Sequence, residues 1–142
     1  MFTISAAQLE SLADSIDARV NHQLARCVAA VFPDQAAQIG HGAVDGDAFH
    51  DWLHKALELG YRYGIEEPAD QAAFLALAVA TIEIAPTRPG YLGFSRPVLA
   101  RESTPGPVKM AWIEQRLSSL AEADAVAARM LGQVRAARAH FQ

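Results

Sequence analysis

Leu9, Leu12, Ile16, Val20, Leu24, Cys27, Val28 and Val31 recur at steps of three and four residues, which predicts one long helix with a single apolar stripe. Ser5 and Gln8 have the spacing of a capping box, in which each side chain satisfies a backbone donor of the first turn. Ile4 and Leu9 stand where a hydrophobic staple needs them. Pro33 predicts the end of this helix, and DQAAQIG (34–40) predicts one or two short turns closed by Gly40. Phe49, Trp52, Leu53, Ala56, Leu57 and Gly60 define the buried face of a second long helix, N-capped by Asp45 and running to about Tyr63. Gly64 is its left-handed terminator. A third helix follows Pro68, a residue that suits a first helical position. From Ala72 to Ile82 it carries no charge and is apolar all round, as a helix at the centre of a bundle is. Pro86 ends it.

Residues 86–107, PTRPGYLGFSRPVLARESTPGP, hold five of the chain's seven prolines and three of its nine glycines. They predict a long irregular connection with one helical turn at PVLARE, and long connections of this kind are often contact surfaces. A fourth helix is expected from near Pro107, with Val108, Trp112, Ile113, Leu117 and Leu120 as its stripe. The last segment, 121–140, is an alanine- and arginine-rich helix. Its acids come first (Glu122, Asp124) and its arginines last (Arg129, Arg135, Arg138), an order that complements the helix dipole. Val126, Met130, Val134 and Phe141 give it an apolar edge.

No run alternates as a strand does and no segment repeats. The expected fold is therefore all-α: a single helical domain over 1–142, a compact bundle of about four to five main helices with one long Pro/Gly-rich connection. Trp52, Leu53, Phe74, Leu77, Ile82 and Trp112 are expected to be buried together. The length of 142 residues and a hydrophobic content of 51% suit one folded domain with a proper core. The net charge of −4 offers no general attraction to nucleic acid or anionic membrane. The longest apolar run, residues 72–82, is too short to span a bilayer, and no signal peptide is visible at the N-terminus. A cytoplasmic protein is expected. Cys27 is the only cysteine, which excludes an intrachain disulfide and a multi-cysteine zinc site. Its place on the apolar stripe is that of a small buried hydrophobe.

His50 and His54, one turn apart on the second helix, are the chain's strongest suggestion of a metal site. Helical geometry puts them on a side strip away from the buried face, with Asp47 and Glu58 on the same side. HDWLH lacks the Glu that follows the first His in the metalloprotease signature, and no third ligand follows downstream. The pair is the wet edge of a packing helix, and no metal or other cofactor is expected. The sequence also lacks a nucleophile elbow, a glycine-rich phosphate loop and a C-x-x-C pair. GHGAVDGD (40–47) does not have the acid spacing of a calcium loop and is expected to be a turn before the second helix.

ISAAQLESL near the start, VFPDQ after the first helix, and LELGYRYGIEEPADQAAFLALA together resemble small helical accessory proteins of bacterial type VI secretion effector clusters. The matching positions are Ile4, Ser5, Gln8, Phe32, Pro33, Tyr63, Gly64, Ile65, Asp70 and Phe74. The resemblance covers about residues 3–85, with a fainter echo from Trp112 to Leu120. It implies a co-chaperone or adaptor that helps an effector, or the effector's own adaptor, reach the spike-associated proteins. It brings no catalytic residue with it.

A non-enzymatic protein-binding accessory factor is the expected function. An immunity protein that binds a cognate toxin is the alternative, and a metal-binding enzyme using His50 and His54 is a weaker one. The partner-binding residues are expected in the irregular connection, at Tyr91, Leu92 and Phe94. The basic C-terminal helix, with Arg129, Arg135 and Arg138, is the other candidate surface.

Overall fold

The structure, a computed structural model, describes residues 5–42, 46–84 and 95–142, with the side chains of 9–17 and 81–84 left aside. The protein is all-α, with no strand among the described residues. Its helices there are α1 (Ala6–Val31), α2 (Pro33–Ile39), α3 (Asp47–Arg62), α4 (Pro68–Ile84), α5 (Ser95–Leu99), α6 (Gly106–Ala121) and α7 (Ala125–Ala139). Two of them, α2 and α5, are short.

The ends of these helices follow local chemistry. At the start of α1 the Gln8 amide donates to the Ser5 hydroxyl (3.1 Å) and the Ser5 amide to the Gln8 side chain (2.8 Å), the reciprocal capping box. Ile4, the first half of the expected staple, lies outside the described residues, as does Asp45. Gly46 takes the N-cap position of α3. At the other end of α3, Gly64 adopts φ +82°, its amide donates to the Tyr61 carbonyl and the Ile65 amide to that of Gly60. This is a Schellman ending, and it turns the chain so that Ile65 enters the core. A break at residues 122–124 separates α6 from α7, where Asp124 caps α7 by accepting from the Val126 (2.8 Å) and Ala127 (3.4 Å) amides.

An apolar helix with no polar side must be surrounded, and α4 is. It packs against α1, α3, α6 and α7. Ala72 to Leu77, Val79 and Ala80 are buried, and alanines along the helix let its neighbours approach closely. On α3 the same purpose is served by Gly60, whose missing side chain is filled by the Phe74 ring. Leu24, Cys27 and Val28 of α1, Phe49 and Leu53 of α3, and Met130 and Val134 of α7 complete one continuous core. Each large apolar side chain so buried contributes about 1.5–3 kcal/mol.

Within the expected core, Leu53, Phe74 and Leu77 are buried and Trp52 is half-buried, while the side chain of Ile82 is among those not described. Trp112 is not core: it is 42% exposed, with the Arg101 guanidinium 5.4 Å from its ring centre. The inward stripe of α6 is Lys109, Met110, Ile113 and Leu117, so the helix is rotated by about one position from the stripe through Val108 and Trp112. Of the connection, residues 86–94 lie outside the described residues; its helical turn is α5, which starts at Ser95, two residues before PVLARE, and α6 begins at Gly106.

Lys109 accounts for the rotation. Only 2% exposed, it donates from Nζ to the carbonyls of Tyr63 (2.8 Å) and Leu99 (2.8 Å), and lies 5.9 Å from the Tyr63 ring centre. Those carbonyls end α3 and α5, where helices carry partial negative charge and unfilled acceptors. The long side chain reaches both because Gly106 sits directly on the Gly64–Ile65 backbone. A Cβ at Gly106 would overlap the Gly64 carbonyl and stand 3.1 Å from the Ile65 Cα. Replacing Lys109 by Met keeps the volume but leaves one buried and one part-buried carbonyl without this donor, at about 1–3 kcal/mol for a buried one. Lys109→Met is therefore expected to lower stability by about 2–4 kcal/mol in urea unfolding, and an unchanged midpoint would remove Lys109 from this role.

Candidate functional site

Helices α1 and α3 both lean on α4, yet among the described residues they do not pack extensively on each other. The space between them is an open groove of about 780 Å³. Its apolar lining comes from Val20 of α1, Leu57 of α3 and Pro68 of α4. Around the mouth stand His54, Glu58, Tyr61 and Arg62 of α3 and Glu66 of the following turn. Tyr61 is 62% exposed, the most open of the large apolar-bodied side chains among the described residues. Arg62 lies 3.7 Å from Glu58, one turn back on the same helix. A smaller crevice of about 150 Å³ opens on the other side of α3, lined by Leu59, Tyr63, Phe74, Leu77 and Leu99.

The remaining concentrated charge is engaged internally. Arg138 of α7 forms a two-pronged contact with Glu114 of α6, Nε to Oε1 at 3.1 Å and Nη2 to Oε2 at 2.8 Å. Its Nη1 donates to Asp70 of α4 at 2.7 Å. Burial opposes the charge on Arg138, but the hydrogen bonds to Glu114 and Asp70 outweigh it and hold the guanidinium pKa above its ordinary value. The three side chains tie α4, α6 and α7 together at one point.

The expected site residues are therefore distributed differently from the sequence reading. Arg138 is half-buried and engaged by Asp70 and Glu114, against which that edge of α7 packs. Arg129 and Arg135 are on the exposed side of α7. Tyr91, Leu92 and Phe94 lie outside the described residues. His50 and His54 are both exposed, and His54 lines the groove. Among the described residues no three His, Cys, Asp or Glu side chains are grouped to hold a metal ion. The Cys27 thiol is buried, and burial pushes its pKa up to about 11. It donates to the Ala137 carbonyl at 3.5 Å and is protonated at neutral pH, unsuited to nucleophilic work.

Sequence reasoning missed Lys109, Gly106 and the Glu114 partner of Arg138. The first had a signal: Lys109, Ile113 and Leu117 are one turn apart each and share a helix face. The ion cluster had none, since its members come from three helices far apart in the chain.

Comparison with known proteins found no matching family model, no matching curated protein and no matching solved structure.

Two outcomes check this geometry. Arg138→Met leaves two largely buried carboxylates unpaired, an arrangement that costs about 3–5 kcal/mol when fully buried. Here, with the cluster partly open to solvent, a loss of about 2–4 kcal/mol is expected. Thermal unfolding of the variant beside the unchanged chain measures the loss. Replacing His50 and His54 together by Ala is expected to change stability by no more than about 0.5 kcal/mol, as exposed positions do.

Proposed function

We propose that this protein is a non-enzymatic accessory factor that works by binding another protein, and that the groove between α1 and α3 is where it does so. The groove is the observation that carries the reading. It is an apolar trough with a polar mouth, bounded by helices on two sides, and grooves of this shape receive helical segments of partners. The polar chemistry elsewhere supports the same conclusion. Lys109 and Arg138 are consumed by the fold, and the Cys27 thiol is neutral.

The partner class rests on the resemblance of residues 3–85 to accessory proteins of type VI secretion effector clusters. On that basis the protein is a cytoplasmic co-chaperone or adaptor for an effector or its adaptor. No helix among the described residues is long and apolar enough to cross a membrane, which suits that role.

A photo-crosslinking amino acid placed at Tyr61, and separately at Arg135, tests the site in native cells. The Tyr61 probe is expected to capture one protein of the secretion cluster and the Arg135 probe to capture none. Capture only from Arg135 would move the surface to α7. Capture from neither, with effector secretion unchanged when the gene is deleted, would overturn the accessory role.

A further inference from the structure

We propose that the occupant of the groove is a basic amphipathic helix of the partner protein, an inference that rests on the protein-binding reading above. The shape asks for an elongated segment with one apolar edge. Val20, Leu57 and Pro68 supply the groove's apolar lining, and the exposed Tyr61 is also part of it. The groove's volume of about 780 Å³ is that of a cleft able to take a drug-sized ligand, which is room for more than one side chain. Both walls are helices, so a third helix can lay its ridge of side chains between theirs.

The charge around the mouth decides which helix. Glu58 and Glu66 face a single guanidinium, Arg62, and Glu58 already engages it. Glu66 and its exposed neighbour Glu67 have no ion pair among the described residues. From α1 the described lining is Val20 and Asn21, which carry no charge. A helix lying in the groove meets the Glu66 carboxylate, with Glu67 next to it in the chain, at the end where α3 turns into α4, and Lys or Arg beside its apolar edge complements them. Charges at such a rim act chiefly on encounter rate and on which partner is accepted.

Three four-turn fluorescent peptides serve as probes against the full chain. They share one Leu stripe and differ only in carrying Lys/Arg, Gln or Glu on the flanks. In fluorescence anisotropy at about 50 mM salt the basic peptide is expected to bind at least about tenfold tighter than the acidic one, and the gap to narrow at high salt. Tyr61→Ser is expected to weaken it. Glu58→Lys combined with Glu66→Lys should invert the order of the three peptides. Both positions are exposed, and an unchanged thermal melt verifies that the fold is intact. Equal binding of the three peptides, or no effect of the double reversal, would overturn the charge selectivity while the protein-binding reading stands. Binding of none of them, alongside capture of a partner from Tyr61, would overturn the helical occupant alone. A dimer of the chain in sedimentation, dispersed by the same reversal, would assign the groove to a second copy and overturn the partner.

Discussion

A lysine ammonium with 2% exposure and, among the described residues, no carboxylate on it holds the second half of the molecule in place. Lys109 ends its reach on two carbonyls, each the last acceptor of a helix, so its positive charge meets the negative ends of α3 and α5 at once. The arrangement requires α6 to start directly on the turn after α3, and Gly106 allows that contact because it has no Cβ to collide with Gly64. The consequences run outward. Placing Lys109 inward sets the rotation of α6, which puts Met110, Ile113 and Leu117 in the core and leaves Trp112 outside under Arg101. The rotation also sets the edge of α6 from which Glu114 meets Arg138.

Two cations, one buried and one half-buried, are thus satisfied in two different ways. Lys109, a compact charge on a flexible stem, is divided between backbone carbonyls. Arg138, a planar fork, is matched to carboxylates from two helices. Among the described residues no buried side-chain nitrogen or oxygen is left without a hydrogen bond. Bonds of this kind discriminate strongly between packings, because any other arrangement strands a charge in the interior. They specify how α3, α5, α6 and α7 sit around α4.

The groove has a different origin. Helix α4 offers apolar surface in every direction, and α1 and α3 take adjoining parts of it without covering each other. What lies between them inherits apolar character from Val20, Leu57 and Pro68 and a charged mouth from the outer strip of α3 and the turn that follows it. The strip holding His54 and Glu58 is amphipathic simply because the opposite face of α3 is core. The proposed binding surface is thus a by-product of how three helices share one central helix, and it needs no irregular loop to build it.

Elements defined by neighbours in the chain were legible from residues alone. The capping box at Ser5 and Gln8, the left-handed stop at Gly64, the helical start at Pro68 and the uncharged central helix each depend on contacts within a few residues, or on a periodicity that one helix displays by itself. The exposure of His50 and His54 was readable for the same reason, since the buried face of α3 fixes where they point. Tertiary structure alone decided the rest. Val108 and Trp112 looked like core because a stripe is drawn through apolar residues, and nothing local shows that a lysine will find two carbonyls waiting inside. Arg138 looked like part of a basic surface because its carboxylates stand on other helices, at positions 70 and 114. The groove is a gap between α1 and α3, and no local pattern records a gap. Local rules set where helices begin, end and turn their apolar side, whereas buried charge and the space between helices are settled only when distant segments meet.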